Sequence, residues 1–410
     1  MTSGLKTQDP ASPPFAGRGS LSELAVLFLK LGTVAFGGPA AHIAMIEEEV
    51  VRRRGWLSHA EFLDMLGATN LIPGPNSTEM AIHIGYQRAG LRGLAVAGIC
   101  FIVPATIIVT SLAWAYTHFG QLPVAEGLLY GVKPVVIAVV IQALWGLGRV
   151  AIKSKFLASV GVIAVGFGLM GVNEMLILFG AAVVVAAGEW AITRYKSLSG
   201  GLPVLLLPTT SSSIPSSVAA TASGAALAVT AVTKAALWPI FFIFLKIGSI
   251  LFGSGYVLLA FLRADLVERL GWLSETQLLD AVAVGQITPG PVFTTATFIG
   301  YLLAGPGGAI VATVGIFLPA FFFVAVSAPI IPHLRRSSVA SRLLDGLNLA
   351  SLSLMFVVTW HLARAAVVDR TTTLFAVSSA FLLLRFKVNS AWLVLGGAMG
   401  GVITHWVLIR

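Results

Sequence analysis

Two copies of Pro-Gly-Pro interrupt long apolar runs, Pro73-Gly74-Pro75 within "NLIPGPNST" and Pro289-Gly290-Pro291 within "QITPGPVFTT". Proline removes a backbone donor and clashes with the preceding helical turn, so each triplet should end or break a helix. Pro75 and Pro291 suit the first position of a new helix, where a missing N–H costs nothing. Such a helix would begin beside Asn76, Ser77 and Thr78 in one copy and Thr294 and Thr295 in the other. Its unpaired N–H groups, dipole and hydroxyls favour anions. Two of these ends facing each other would make a donor-rich cage suited to a small oxyanion. The plainer alternative is a kink or tight packing contact, and the recurrence of the triplet argues for a site.

Charged residues inside apolar runs supply the rest of the candidate chemistry. Lys30 and Lys246 sit within apolar helices, too deep for easy snorkelling, and a buried lysine needs a partner or a function. They are candidates for binding or balancing negative charge. Glu79 and His83, four residues apart, share one helix face after the first Pro-Gly-Pro and are candidates for proton coupling. A local hydrogen-bonded pair is the alternative. Ser58 and Ser274 should cap helices, with Glu61 completing a capping box in the first case. Asp64 and Asp280 read as structural, Trp56 and Trp272 as interfacial anchors, and "IEEEVVRRRGW" (46–56) as a solvated charged helix.

The elements that must position these residues are membrane spans. Of 410 residues, 57% are hydrophobic and 10% charged, with a mean hydropathy of +0.92. A soluble domain carries about 25% charged residues. Many runs approach the roughly 20 residues that cross a bilayer, so the chain is expected to be polytopic and bound to lipid. Lys and Arg exceed Asp and Glu by 26 to 17, which first means basic cytoplasmic loops. Cys100 is the sole cysteine, and the histidines are scattered, so no disulfide, metal centre or cofactor is expected. No Walker A or dinucleotide fingerprint is present. This argues against ATP driving, a membrane reductase or any enzyme, and nothing suggests nucleic acid as a partner.

An internal repeat organises these spans. "FLKLGTVAFGG" (28–38) matches "FLKIGSILFGS" (244–254), and Lys30, Asp64 and Pro73 fall on Lys246, Asp280 and Pro289, 216 residues on. Beyond one deletion the offset is 215, where "IGYQRAG" (84–90) matches "IGYLLAG" (299–305). The expected organisation is a polar tail, 1–19, a transmembrane half, 20–198, a Ser/Thr/Ala/Pro-rich linker, 199–235, that could hold an extra span, and a second half, 236–410. Basic segments mark one side at Arg88/Arg92, Arg149/Lys153/Lys155 and Arg194/Lys196, then at Arg335/Arg336/Arg342 and Arg385/Lys387. The segment equivalent to Arg88/Arg92 is uncharged, so equivalent loops change sides. The expected fold class is therefore an all-α polytopic membrane protein whose homologous halves form an inverted-topology repeat, each with a Pro-Gly-Pro-broken or re-entrant segment. Its binding site should lie between the halves near the midplane. Five or six crossings per half satisfy the pattern.

"FGGP" (36–39), "GWLS…FLD" (55–64), "PGP" (73–75) and "IGY…G" in both halves resemble the CHR family of chromate transporters, in its long two-domain bacterial form. The resemblance covers nearly all of the chain outside tail and linker. It implies export of chromate across the inner (plasma) membrane, driven by membrane potential or proton gradient and conferring chromate resistance. Sulfate, of the same shape and charge, would be a competitor or an alternative substrate, and homo-oligomers are compatible with it. The second half has Gly253-Ser254-Gly255 where the first has Gly37-Gly38-Pro39, so the halves need not contribute equally.

Overall fold

The computed structural model describes residues 20–36, 38–120, 122–198, 236–252, 255–327, 338–386 and 388–408. The tail 1–19 and the linker 199–235, with its candidate span, lie outside the described residues. The first half contains α1 (Leu21–Val34), α2 (Gly38–Glu47, prolonged by a π-helical turn over Glu48–Arg53), α3 (His59–Thr69), α4 (Asn76–Phe119), α5 (Pro123–Ala151), α6 (Lys155–Leu169) and α7 (Glu174–Leu198). The second repeats the series as α8 (Leu237–Ile250), α9 (Leu258–Leu262, with a π-helical turn over Arg263–Arg269), α10 (Glu275–Ile287), α11 (Thr295–Ser327), α12 (Ser338–Ala366), α13 (Arg370–Phe381) and α14 (Ser390–Leu408). Each helix has its mate seven labels on.

The chain is an all-α polytopic membrane protein. Five stretches among the described residues are long and apolar enough to cross a bilayer: Asn76–Phe119, Pro123–Ala151, Glu174–Ile192, Val292–Ser327 and Ser341–Ala366. Exposed Ile99, Val103 and Ile107 on α4, and their mates Val314 and Leu318 on α11, form apolar faces suited to lipid.

Local chemistry recurs as faithfully as the sequence. Ser58 and Ser274 accept from the N–H groups of Glu61 and Gln277, whose side chains return the bond, so both boxes are complete. The last glycine of each "IGY…AG" run takes a left-handed conformation, Gly90 with φ 59° and Gly305 with φ 65°, and breaks α4 and α11 into a short and a long arm.

The halves interlock rather than abut. α1 packs on α4 and α8 on α11, and α4 meets α11 between the halves. The last two helices then exchange: α6 and α7 pack on α12, while α13 and α14 pack on α5. Small residues permit the close crossings. A Cβ on Gly131 of α5 would strike the backbone of Gly397 and Gly401 on α14, and one on Gly346 of α12 would stand 2.5 Å from Ala182 Cα on α7.

Candidate functional site

The site begins where both Pro-Gly-Pro loops reach across the molecular centre. Gly74 N–H donates to Leu251 O (2.8 Å), and Gly290 N–H donates to Ala35 O (2.9 Å). Ala35 and Leu251 are the extended residues that end α1 and α8, so each loop caps the broken helix of the other half. Both glycines have positive φ, 143° and 90°, which L side chains adopt only under strain. The packing role weighed against a binding role is thus real, and it is reciprocal between the halves.

Past the loops the halves differ. Pro75 occupies the cap position of α4 and offers no side-chain acceptor; Thr78 N–H donates to Pro75 O at 2.8 Å, which leaves the N–H groups of Asn76 and Ser77 without a side-chain cap. Pro291 leads instead into a tight turn over Val292–Thr294 before α11 starts. The hydroxyls of Thr294 and Thr295 bond back to Pro291 O and Val292 O, both at 2.8 Å, and both residues are buried. Asn76 is reached at 2.7 Å by its partnership with Asn70, its amide donating to Asn70 Oδ1. Ser77 Oγ lies 3.4 Å from Nδ1 of the buried His42, whose Nε2 is 3.0 Å from Ala35 O.

A cavity of about 540 Å³ opens at this junction. Asn70, Pro75, Asn76 and Ser77 form one wall, and Val292 and Phe293 from the second loop form the apolar wall facing them. The mouth is lined by the carboxyl-terminal end of α5, from Ala143 to Ala151, by Lys153 just beyond it, and by Asp345, Asn348 and Ser351 of α12. Lys153 Nζ holds Asp345 Oδ1 there at 2.6 Å. Both Pro-Gly-Pro ends therefore meet one cavity, the first with polar groups and the second with apolar ones.

Lys30 and Lys246 lie elsewhere. Lys30 Nζ is 2.8 Å from Glu49, and Lys246 Nζ is 2.9 and 2.8 Å from the two oxygens of Asp265, the repeat mate of Glu49. Glu49 also binds Arg53 and Arg54, and Asp265 binds Arg269. The two carboxylates are 8% exposed. The stretch 46–56 keeps a solvated face at Glu48, Arg52 and Arg53, and within it Glu49 turns inward to pair with Lys30. Neither lysine lines the cavity, and an anion would have to displace a carboxylate from each.

Thr78 and Glu79, which follow the cavity-lining Ser77 on α4, are fully buried, and His83 nearly so. Glu79's carboxyl fills the space where a Cβ on Gly74 would lie. Thr78 Oγ1, both Glu79 carboxyl oxygens and His83 Nε2 find no hydrogen-bond partner among the described residues. The pairing considered for Glu79 and His83 is thus not formed.

Sequence reasoning passes over several groups. Buried Asp280 accepts from Tyr116 Oη at 2.8 Å and faces Lys133 Nζ at 2.9 Å. Lys133 stands in the apolar run "GVKPVVIAVV" (131–140) and carries the same signal as Lys30. Lys153 and Asp345 are 192 residues apart in opposite halves, and nothing local announces their pairing.

Comparison of the sequence with known proteins assigns it to a family. The family described as "Chromate transporter" matches residues 22–186 and again residues 238–402. The chain is 31% identical over 400 residues to the chromate transport protein of Cupriavidus metallidurans, covering 95% of this chain and 94% of that one. It is 31% identical over 394 residues to the probable chromate transport protein of Synechococcus elongatus, covering 94% and 95%. A chromate transport protein of Pseudomonas aeruginosa is 29% identical over 405 residues, covering 96% and 94%. No solved structure matches the chain.

Proposed function

The chain belongs to the chromate transporter family, and on that premise we propose that it exports chromate from the cytoplasm across the inner membrane by a secondary, alternating-access mechanism. The observation that carries the reading is the cavity between the halves at the start of α4. The uncapped N–H groups of Asn76 and Ser77 and the side chains of Asn70, Asn76 and Ser77 supply donors to a tetrahedral oxyanion, the helix dipole favours its charge, and the volume leaves room for water around it.

Orientation supports the direction. The mouth lies at the end of α5 that carries Arg149 and leads into Lys153 and Lys155, and at the end of α12 that carries Arg342. The positive-inside rule assigns such an end to the cytoplasm. The cavity then faces the side from which chromate is removed. A dianion leaving a negative interior moves with the membrane potential, worth about 2.3 kcal/mol per charge per 100 mV. Glu79 and His83, buried with Glu79's carboxyl oxygens and His83 Nε2 lacking hydrogen-bond partners among the described residues, are the groups available for proton coupling. Lys30 and Lys246 enter this reading as charge-balanced anchors of the helices that the Pro-Gly-Pro loops cap.

The test is labelled chromate uptake into inside-out vesicles, energised and not, with sulfate as competitor. Energised uptake that sulfate inhibits only in excess upholds the proposal, and Asn76→Ala with Ser77→Ala should cut it on the order of tenfold, the effect of losing one or two hydrogen bonds to a charged group. Sulfate movement without chromate movement would keep the cavity and replace the substrate.

A further inference from the structure

We infer that Lys153 is the counter-cation of the transported anion and that Asp345 is a built-in stand-in for it, occupying Lys153 until a divalent tetrahedral oxyanion takes its place. The inference rests on the reading of the cavity as the anion's site. Lys153 is the one basic side chain among the residues lining that cavity and Asp345 the one acidic side chain, so the lining is neutral while they are paired. A dianion gains a full charge partner only by separating them.

Three observations favour exchange over a fixed strut. The pair is wet, with Lys153 56% and Asp345 22% exposed, and an ion pair in contact with water contributes little to holding a fold. A lysine ammonium is a compact charge on a flexible stem with three donors, able to follow an anion from the mouth towards Asn76 and Ser77. Asn348, three residues beyond Asp345 on α12, adds a neutral donor to the same lining.

The repeat supplies a further one. Some ion pairs recur in both halves, as Lys30–Glu49 and Lys246–Asp265 do, whereas the buried Lys133–Asp280 and the exposed Lys153–Asp345 do not. The positions equivalent to Lys153 and Asp345 are Val368 and Tyr130, where the contact is uncharged on one side: Tyr130 Oη donates to Asp369, next to Val368, at 2.6 Å. A cation thus enters this contact only in the copy that lines the cavity, where Lys153 meets Asp345.

The stand-in also confers selectivity. A bare lysine at the mouth would accept any anion, whereas a monovalent ion gains too little by competing with a carboxylate already in place. The experiment compares chromate uptake by inside-out vesicles bearing wild type, Lys153→Gln, Lys153→Arg and Asp345→Asn, with nitrate and sulfate as inhibitors and detergent elution profiles to verify folding. Expected are a KM raised on the order of tenfold in Lys153→Gln, partial rescue in Lys153→Arg, and a KM lowered several-fold in Asp345→Asn together with new inhibition by nitrate. Wild-type KM and anion selectivity in folded Asp345→Asn would overturn the inference. If wild-type vesicles move no chromate, the functional reading fails separately. The inference is then read from the melting temperature of purified protein with sulfate: stabilisation of wild type that Lys153→Gln abolishes upholds it, and any other pattern overturns it.

Discussion

At the residue scale, an intramembrane lysine is legible by its cost but its partner is not. Lys30 and Lys246 stand out in apolar runs, whereas Glu49 and Asp265 sit among charges that resemble a solvated stretch. What joins them is the chain reversal that follows the extended residues Ala35 and Leu251, a break no local propensity displays. The clusters differ in a way that predicts stability. Without Lys30, Glu49 keeps Arg53 and Arg54; without Lys246, Asp265 keeps only Arg269 among the described residues. Removing one partner of a fully buried pair costs about 3–5 kcal/mol, and less where the lysine is 51% or 34% exposed, as here. Lys246→Ala should therefore be the more destabilising substitution by about 1 kcal/mol, seen as the lower midpoint of thermal unfolding in detergent. Equal midpoints would mean that the arginines contribute nothing to satisfying either carboxylate.

At the element scale, the repeat makes two positions comparable that are packed differently. α10 is buried against α11, α5 and α12, and Asp280 reaches Lys133 and Tyr116. Its mate α3 packs chiefly on α4, and Asp64 is exposed. Inverted repeats alternate access by exchanging such environments, so the second state should dock α3 on α12 and release α10 from α5. The repeat mate of Lys133 is Asn348, so that second dock lacks the lysine that holds the first. Asn348→Lys should supply it and close the cavity. Gly146 lines the cavity and has open space for a Cβ, so Gly146→Cys in a Cys100→Ala background reports on closure. Labelling of that cysteine by an impermeant maleimide from the cytoplasmic side should slow several-fold with Asn348→Lys, and unchanged labelling would refute the exchange. The existence of α3 and α10, their capping boxes and the Pro-Gly-Pro breaks after them are all legible in sequence. Their unequal packing is not, because a repeat records common ancestry and not the state in which each copy is caught.

At the scale of the whole molecule, the inverted repeat could have meant two halves that fold separately and meet at a face, and the sequence fits that picture equally well. The exchange of α6 and α7 onto α12, and of α13 and α14 onto α5, excludes it. Separated halves would expose the glycine-rich crossing at Gly131 and Gly401 and the seat of Ala182 on Gly346. Each would also leave the extended ends Ala35 and Leu251 without the N–H groups of Gly290 and Gly74, backbone acceptors that lipid cannot satisfy. The linker need not be continuous for any of these contacts. Residues 1–215 and 216–410 expressed as two chains should therefore assemble in the membrane, co-purify and restore chromate resistance to a sensitive host, while either chain alone accumulates poorly and confers none. Stable accumulation of a lone half would show that the exchanged helices find partners within their own repeat. A split pair that assembles but does not transport would show instead that the linker carries part of the function, and would move attention from the central cavity to residues 199–235.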